Sequence, residues 1–534
     1  MQIVSFVNRG YSGDIVTVEV DLRRGIPGMD VVGLPDSAVK EARERVRAAV
    51  RNSGFRVPRQ RILINLAPAG VRKQGAAFDL PMAAALLMVD SQVPSPGAYS
   101  MLIVGELELS GRVRPVPGVL AAVHAALQSG AHICVVPREN LNEARTVAGS
   151  KAVALSHLAE MPHLFTLLQH GFQESYIADC LESVTGDKGG SDEGEIEPPR
   201  DSTETSSGFG SQLNNGLDFA ELIGQEQLKR ACMVAAAGRH HLLLFGPPGG
   251  GKTMAALRFR NLLPDLDREA SIAVTRIYSI GGALPAGSGL ITRPPFRAPH
   301  HTASREGLIG GGVNVQPGEI SYAHHGLLFL DEALEFGNRL LQSLREPIER
   351  GIVQIARSGC HYWFPAQFQL LMATNPCPCG KLGQVDSLCM CSPIELHRYW
   401  KKIGAAFCDR IDMRLPVELS QSVTLSTQHG LTTAQMAGKV AETIQIQQQR
   451  GSLRNGDLGP TQLLEYCRIE EGSVGILNKA VRSLGLSTRA AHSVLKISRT
   501  IADLEQSSHI KSDHIMEAVQ YRRYGESDYY WKAA

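Results

Sequence analysis

The sequence has almost no net charge and no long hydrophobic run. Its 54 Lys and Arg residues balance 53 Asp and Glu residues, which leaves a formal charge of +1 at pH 7. An overall field that attracts nucleic acid or an anionic membrane is therefore excluded, and such a partner requires a local charged patch. No apolar stretch approaches the roughly 20 residues that span a bilayer, and the start, MQIVSFVNRG, lacks a signal-peptide core. These absences predict a cytoplasmic protein without a membrane partner.

Cysteine is also sparse, with ten residues in 534, and six of them are scattered as expected of buried small side chains. The other four form two C-x-C pairs in NPCPCGKLGQVDSLCMCSP, residues 375–393. Four thiolates can close a tetrahedral zinc site, although C-x-C is tighter than the usual spacing. A redox pair or free thiols are the alternatives. The predicted structural zinc ligands are Cys377, Cys379, Cys389 and Cys391.

A change in composition divides the chain. Residues 184–216 are rich in Gly, Ser, Asp and Glu and nearly free of apolar residues, which predicts a flexible linker. Residues 1–183 alternate short β-branched runs with helical stretches, the clearest of which is DSAVKEARERVRAAVRNSG. Residues 217–420 contain continuous apolar strands between helices, a pattern typical of a parallel sheet covered on both faces. Residues 421–534 are predicted to form a helical lid, so the fold class is α/β.

The segment GPPGGGKT fits the phosphate-binding pattern G-x-x-x-x-G-K-[ST], directly after the apolar strand LLLF and before a helix. Glycine lets the backbone wrap closely around phosphate, and the helix N-terminus adds amide donors. In this pattern the lysine places its charge on the β- and γ-phosphates and the threonine hydroxyl ligates Mg²⁺. The predicted ATP-binding residues are Gly246, Pro247, Pro248, Gly249, Gly250, Gly251, Lys252 and Thr253.

A second acidic motif, LLFLDE, follows in the same block. Asp331 ends a buried strand and is expected to hold Mg²⁺ together with Thr253. Glu332 is expected to polarise a water for in-line attack on the γ-phosphate. An apolar run that ends in Asp-Glu is weak evidence alone, but its place 78 residues after Thr253 in an α/β block makes it specific. The two motifs together predict ATP hydrolysis.

With these motifs the sequence resembles the AAA+ ATPases, and within them the magnesium-chelatase ATPase-subunit branch. The resemblance implies three further catalytic residues. Asn375, after the strand LLMAT, matches the sensor 1 position that orients the attacking water. Arg410 matches the arginine finger presented to a neighbouring subunit, and Arg489 matches the sensor 2 arginine of the lid. Surface salt bridges are the alternative for both arginines, whereas a finger acting in trans implies a ring, a homo-hexamer.

The segments PFRAPHHTASREGLIGGG and PGEISYAHHGLLFLDE resemble the bacterial competence-related ComM (YifB-type) proteins, essentially over the whole length. The histidine pairs His300–His301 and His324–His325 lack other ligands at metal spacing, so structural or subunit-contact roles are favoured. Ala333 and Leu334 stand where the family is expected to carry Leu-Pro after the Asp-Glu pair. The resemblance implies a branch-migration helicase in natural transformation or DNA repair, with single-stranded and branched DNA, and a recombinase filament, as partners. A chelatase-type or chaperone-type remodeller of a protein, or a regulatory ATP-dependent binding module, are the alternatives.

The N-terminal block looks like the Lon-protease catalytic domain. RKQGAAFDLPMAAALL corresponds to the segment that carries the serine nucleophile, and GELELSGRVRPVPGVLAAVHAALQ to the segment that carries the lysine base. Ala77 and Leu120 stand at those two positions. Nucleophilic catalysis requires a hydroxyl and a base within hydrogen-bond reach. The domain is therefore predicted to be a degenerate, non-proteolytic Lon-like domain.

Positive charge is concentrated near the N-terminus, where residues 1–75 contain 13 Lys and Arg against 7 Asp and Glu. Four of these side chains recur at helical spacing and would lie along one face. A solvated face balanced by nearby glutamates is the alternative. Repeated around a ring, the face would bind DNA through phosphates with little sequence preference. The predicted DNA-binding residues are Lys40, Arg43, Arg47 and Arg51.

We predict that reversing charge with Arg43→Glu and Arg47→Glu weakens DNA binding and reduces its dependence on salt, because fewer counterions are released per complex. Equilibrium titration of labelled DNA at several salt concentrations measures both quantities. If the dependence of DNA affinity on salt concentration is unchanged, this face does not bind DNA.

Overall fold

The computed structural model describes residues 2–95, 99–169, 216–357, 359–384, 387–419, 430–451 and 453–524. The chain forms two compact units. Unit 1 comprises Met1–Ser207, Ser271–Ile291 and Ala356–Trp363, and unit 2 comprises Gly208–Ala270, Thr292–Ile355 and Phe364–Ala534. The predicted linker, 184–216, lies outside the described residues except for its last position, so the predicted domain boundaries stay predictions. None of the helices in these ranges has the length and apolarity needed to cross a membrane.

The N-terminal elements build a mixed seven-stranded sheet with helices. Their bounds are β1 (Gln2–Arg9), β2 (Ser12–Arg23), β3 (Gly28–Val32), α1 (Ser37–Asn52), β4 (Arg61–Ala67), α2 (Asp79–Val89), β5 (Ser100–Ile103), β6 (Glu106–Leu107), β7 (Val113–Arg114), α3 (Val119–Gln128), β8 (Ile133–Pro137), α4 (Leu141–Ala148), β9 (Ala152–Leu155) and α5 (Met161–Gln169). The strand order is β3-β4-β2-β1-β5-β8-β9. β2 pairs antiparallel with β1 and β4, and the outer strands pair in parallel.

Helix α1 carries the candidate DNA-binding face. The Asp36 side chain accepts a hydrogen bond from the Val39 amide and caps the first turn, which satisfies one of the free donors there. The apolar side of the helix is buried, as the sequence predicted. Along the flank of that buried side Arg43 is half-buried, and the remaining members of the basic face are exposed: Lys40, Arg47 and Arg51. The face is therefore accessible, and its DNA role stays a prediction.

The chain from residue 216 builds a parallel sheet followed by helices. The elements of the sheet region are α6 (Glu226–Gly238), β10 (Leu242–Phe245), α7 (Lys252–Phe259), α8 (Arg268–Ile280), β11 (Phe296–Arg297), α9 (Arg305–Ile309), β12 (Gly310–Gly311), β13 (Gln316–Pro317), α10 (Glu319–Tyr322), β14 (Leu327–Leu330), α11 (Asn338–Ser343), α12 (Arg345–Arg350), β15 (Ile352–Arg357), β16 (Cys360–Pro365), β17 (Gln369–Thr374), α13 (Pro393–Lys401), α14 (Ala405–Cys408) and β18 (Met413–Pro416). The C-terminal helices are α15 (Thr433–Arg450), α16 (Pro460–Tyr466), α17 (Val474–Leu484), α18 (Thr488–Leu504) and α19 (Ser512–Arg522).

The main sheet of unit 2 has five parallel strands in the order β11-β14-β17-β10-β18. Side chains of β10 alternate between two separate apolar clusters. Leu242 and Leu244 pack into one cluster, and Leu243 and Phe245 into the other. Both faces of the sheet are therefore covered, which is why its strands are continuous apolar runs. This confirms the predicted α/β core with a helical C-terminal region.

Two segments that follow the predicted linker in sequence belong to unit 1. The Tyr11 amide donates to the Trp363 carbonyl at 2.9 Å, and the two rings lie 5.0 Å apart between centroids. The guanidinium of Arg276, in α8, lies 4.4 Å above the Tyr11 ring. The Gly118 amide donates to the Ser279 carbonyl at 2.9 Å. Composition along the chain did not indicate this exchange of segments, because a linker marks a change in sequence and not the partner of a later helix.

A buried ion pair fixes α1 against α2. The Arg45 guanidinium reaches Asp79, whose side chain is fully buried, at 2.8 Å. Burial raises the pKa of Asp79 to about 6, against the lowering effect of hydrogen bonds and charge from Arg45. At neutral pH the carboxylate is thus held in the interior by its partner, and its protonation below that pKa favours the folded state.

We predict that Arg45→Met destabilises the fold by about 3 kcal/mol at about pH 8, because it leaves the Asp79 charge buried without a partner. The loss is smaller at about pH 5, where the raised pKa leaves Asp79 mostly neutral when folded. Calorimetric unfolding of the full chain at both pH values measures the difference. Adding Asp79→Asn should recover most of the loss, and an equal loss at both pH values would contradict this account.

Candidate functional site

The phosphate-binding loop lies between β10 and α7. The Gly246 amide donates to the Thr374 carbonyl of β17, which fixes the start of the loop against the sheet. Gly249 and Gly251 have φ angles of +87° and +85°, a left-handed conformation that residues with a β-carbon rarely adopt. The loop leads directly into α7, which begins at Lys252 with Gly251 as its N-cap. This is the backbone arrangement that binds phosphate.

Lys252 and Thr253 extend from the first turn of α7. The buried Lys252 ammonium donates to the carbonyls of Gly246 and Pro247 at 2.7 and 2.8 Å. Burial lowers the pKa of Lys252, and the charge of Asp331 opposes that shift. The Thr253 hydroxyl donates to Asp331 Oδ2 at 3.0 Å. The two predicted magnesium ligands, from the two separate motifs, are therefore in direct contact.

The acidic pair lies immediately after β14. The Glu332 amide donates to Asp331 Oδ1 at 2.9 Å. Glu332 has a φ of +47°, and a residue with a side chain held in this region costs about 1–3 kcal/mol of strain. Its exposed carboxylate has His301 Nδ1 at 3.6 Å. Strain of this kind concentrates where a side chain must be aimed, so the backbone supports a directed role for Glu332.

Asn375 follows β17 at the same edge of the sheet. In the parallel register Thr374 is paired with Phe245 of β10, and Met372 is paired with Leu330 of β14. The three strands therefore end side by side, and ligands of open α/β sheets bind at that carboxyl edge. The structure brings together the loop, the acidic pair and Asn375, as the sequence predicted, and their individual catalytic roles stay predictions.

Arg410 and Arg489 meet each other at a third side chain. Arg410 follows α14, and Arg489 lies in the first turn of α18, whose N-cap is Ser487. Both guanidinium groups contact Glu349 Oε1, at 2.7 and 2.5 Å. Sequence reasoning missed Glu349, and no local pattern in REPIERG marks it. Each arginine does form an ion pair, which was the alternative considered for it, but the two form it with one shared oxygen.

The four cysteines of residues 375–393 form one cluster, named here the cysteine cluster. Their sulfur atoms all lie within 4.8 Å of one another, and three of the distances are 3.4, 3.6 and 3.7 Å. Zinc–sulfur bonds of about 2.3 Å in a tetrahedron place sulfur atoms about 3.8 Å apart, against about 2.05 Å in a disulfide. Among the described residues this is the one cluster of three or more His, Cys, Asp or Glu side chains that could hold a metal.

The thiols of this cluster are not equivalent. A hydrogen bond from the Lys381 amide lowers the pKa of the exposed Cys379 to about 6, whereas burial raises the pKa of Cys377. The Leu382 amide also donates to Cys377 Sγ at 3.4 Å. Amide hydrogen bonds to sulfur of this kind orient and stabilise thiolate ligands in metal sites.

The remaining predicted positions have different surroundings. The buried His324 accepts a hydrogen bond from the Gln367 amide at 3.1 Å, and burial lowers the pKa of His325 to about 4. Both are held neutral inside the fold, which fits the expected structural role. Leu120, at the position of the protease base, is buried, and the ammonium of Lys73, four residues before Ala77 in sequence, donates to the Pro68 carbonyl.

Three family models match the chain. One described as "Magnesium chelatase, subunit ChlI" matches residues 218–425, one described as "Subunit ChlI of Mg-chelatase" matches residues 18–140, and one for the subunit ChlI C-terminal region matches residues 430–522. Competence protein ComM of Haemophilus influenzae is 37% identical over 524 residues, 97% of each chain. The uncharacterized protein YifB of Escherichia coli K12 is 38% identical over 515 residues, 96% of this chain and 95% of YifB. The chain belongs to the magnesium-chelatase-like AAA+ proteins of the ComM/YifB type.

Membership in the ComM/YifB-type family confirms the predicted fold class and implies an ATPase that uses ATP and Mg²⁺. A Lon protease of Salinispora arenicola is 28% identical over 138 residues, which are 24% of this chain and 18% of that protease. This supports the Lon-like N-terminal region. The residues fit the nucleotide and its metal, because an ammonium, a hydroxyl and a carboxylate converge beside the glycine loop and the start of α7.

Proposed function

We propose that this chain is an ATP-driven DNA motor, a cytoplasmic homo-hexamer that acts as a branch-migration helicase on recombination intermediates during natural transformation or DNA repair. The observation that carries the proposal is the similarity to a competence protein, 37% identity over 97% of both chains. The sequence also contains both ATPase motifs, GPPGGGKT and LLFLDE. Single-stranded and branched DNA are its partners, and a recombinase filament is a further one.

The ATPase residues divide the chemistry between them. Lys252 supplies a point charge to the β- and γ-phosphates, and Thr253 with Asp331 holds the magnesium ion. Glu332 accepts the proton of the attacking water, and the Asn375 amide holds that water in line. Bound Mg²⁺ supplies neutralisation of charge on the phosphate oxygens. Arg410 and Arg489 serve the γ-phosphate of a neighbouring subunit, which makes hydrolysis depend on a closed ring.

DNA contacts are assigned to the basic face of α1. Three of its four cationic side chains are exposed, and none has a base-reading motif near it in sequence. A ring multiplies the face sixfold, which creates a local potential that a net charge of +1 does not supply. Binding is then dominated by phosphate contacts and is largely independent of sequence.

The cysteine cluster is assigned to structural zinc. Four protein thiolates fill a tetrahedron and leave no open position, so the metal has no catalytic part. The cluster starts two residues after Asn375 and ends before α13. A β-carbon added at Gly380, inside the cluster, would lie 3.5 Å from Pro248 of the phosphate-binding loop. Zinc would therefore stiffen a segment that contacts the nucleotide loop and continues from sensor 1.

A second function is favoured by the matching family models, which describe a subunit of magnesium chelatase. Such a protein would use the same ATPase to remodel a protein partner and would move no DNA strand. The ATPase residues are common to both functions, so strand movement separates them.

The decisive experiment is displacement of a labelled strand from a three-stranded DNA joint. We expect the purified protein to hydrolyse ATP and displace the strand, Lys252→Ala to lose ATP binding, and Glu332→Gln to bind ATP but hydrolyse it about 10²-fold more slowly. Glu335→Gln is the matched control, because that exposed carboxylate follows the same strand and pairs with Lys402. Hydrolysis at a normal rate without strand displacement would reject the helicase and favour the remodeller.

For the zinc site we predict that Cys389→Ser with Cys391→Ser lowers zinc content and hexamer stability more than it lowers ATP affinity. The reason is that two ligands are lost from a closed site while the phosphate-binding residues remain. Elemental analysis, sedimentation and nucleotide titration give the three quantities, and Cys360→Ser, outside the cluster, is the control. Wild-type protein that assembles normally without zinc would contradict the assignment.

A further inference from the structure

Glu349 holds two arginines on one oxygen. It lies at the end of α12, 61 residues before Arg410 and 140 residues before Arg489. Partial burial alone would raise the pKa of Glu349, but hydrogen bonds from Arg489 and Arg410 hold it below its ordinary value. The carboxylate is therefore ionised, and it is the anion that allows two cations to lie side by side.

The two arginines retain donors that Glu349 does not use. A guanidinium has five N–H donors and binds a carboxylate most strongly through two parallel hydrogen bonds. Here one nitrogen of each arginine meets Glu349 Oε1, and Arg410 Nη1 donates to the Ala406 carbonyl instead. Arg410 is only 11% exposed, and its Nε is buried without a hydrogen-bond acceptor in the described part of the chain. Arg489 is 43% exposed. A single carboxylate oxygen does not satisfy the N–H donors of the two arginines, and the pair is open to solvent on the side of Arg489.

The segments that carry these arginines are fixed to each other. The Ser487 hydroxyl, at the start of α18, donates to Asp409 Oδ1 at 3.3 Å. The fully buried Arg522 donates to the same Asp409 oxygen at 2.8 Å and to the carbonyl of Ile411. Asp412 accepts from the Ser493 hydroxyl at 2.9 Å. Arg410 and Arg489 therefore keep their spacing if Glu349 leaves, because these four other contacts join the C-terminal helices to the segment around Arg410.

The proposed function places Arg410 and Arg489 together at the γ-phosphate of ATP bound to a second copy of this chain, where they form one anion-binding pocket. We propose that Glu349 occupies this pocket when the γ-phosphate is absent and leaves it when the phosphate enters. This inference rests on the proposed function. A terminal phosphate offers three charged oxygens to the donors that one carboxylate oxygen leaves unused. Phosphate and carboxylate repel each other at this distance, so entry of the phosphate expels Glu349.

Because the γ-phosphate must displace Glu349, contact between the arginines of one subunit and the ATP site of its neighbour depends on the bound nucleotide. When the neighbouring site is empty or holds a product without the γ-phosphate, Glu349 occupies the arginines. When it holds ATP, the phosphate displaces Glu349 and the arginines act on it. Glu349 is thus a positioning residue. It holds Arg410 and Arg489 side by side, and its competition determines how strongly the γ-phosphate must bind to displace it.

The first test measures anion binding without a ring or hydrolysis. In a Lys252→Ala background, which removes binding at the chain's own phosphate loop, inorganic pyrophosphate is titrated by calorimetry. We expect Glu349→Gln to tighten pyrophosphate binding by about three- to tenfold, because a competing charge is removed while the shape is kept. Arg410→Ala should abolish the binding. Unchanged or weaker binding in Glu349→Gln overturns the proposal.

The second test mixes two inactive chains. The donor carries Lys252→Ala and supplies arginines, and the acceptor carries Arg410→Ala with Arg489→Ala and binds ATP. We expect ATPase activity to return on mixing, and Glu349→Gln in the donor to lower the donor concentration for half-maximal activity about threefold. Glu346→Gln is the matched donor control, since Glu346 lies on the same helix and pairs with Arg350 at 3.0 Å. A donor with Glu346→Gln should need the same concentration for half-maximal activity as the donor with Lys252→Ala alone.

The outcomes separate the two levels of inference. A mixture without activity, with tighter pyrophosphate binding in Glu349→Gln, rejects the neighbouring-subunit arrangement of the proposed function and retains the pocket. An active mixture whose donor requirement is unchanged or raised by Glu349→Gln rejects the role of Glu349. A purely structural Glu349 would lower the melting temperature and raise the donor requirement. If Glu349→Gln does not fold, Glu349→Asp, which withdraws the carboxylate by one methylene, is expected to change both readouts in the same direction by less.

Discussion

The ATPase site depends on the register of three parallel strands. β10, β17 and β14 are paired so that their carboxyl ends lie at one edge, and each strand is followed at once by a functional segment. The phosphate loop, Asn375 and the acidic pair are far apart in sequence and become neighbours only through this pairing. A shift of one residue in either register would move a side chain to the opposite face of the sheet. The apolar clusters on both faces prevent that shift, so core packing fixes the geometry of the chemistry.

Features encoded by residues close together in sequence were predicted correctly, whereas contacts between residues far apart in sequence were missed. The phosphate loop, the acidic pair and the buried face of α1 are local patterns with a physical reason at each position, and the structure has them where the sequence predicted. The 375–393 cysteines were also local enough to identify, because the intervening chain is short. By contrast, Glu349 is an ordinary glutamate on a short helix. Its two partners are 61 and 140 residues away, and no sequence pattern encodes an ion pair at such separations.

The division of the chain into units could not be predicted either, because it also depends on contacts between residues far apart in sequence. The glycine- and serine-rich stretch marked a change of composition, yet α8 and the Ala356–Trp363 segment belong to the unit that precedes it in sequence. Tyr11, Trp363 and Arg276 form the contact that joins them, and each is unremarkable alone. An aromatic ring beneath a guanidinium is a specific interaction that depends on burial and geometry. Burial raises the pKa of Tyr11 and lowers that of Arg276, but both side chains are only half-buried and Trp363 remains 38% exposed, so this contact lies at the edge of the packed unit.

The cysteine cluster has a physical reason to lie where it does. The segment from Asn375 to α13 must hold a polar side chain at the sheet edge, yet it contains little apolar surface to bury, and Leu388 and Met390 are exposed. In its described part the Trp400 indole donates to the Pro376 carbonyl at 3.0 Å, and Gly380 approaches Pro248. Ordering a loop costs conformational entropy, which burial of apolar side chains normally offsets. Four metal–thiolate bonds would supply the missing free energy at the one place where movement of the loop displaces both the nucleotide loop and Asn375.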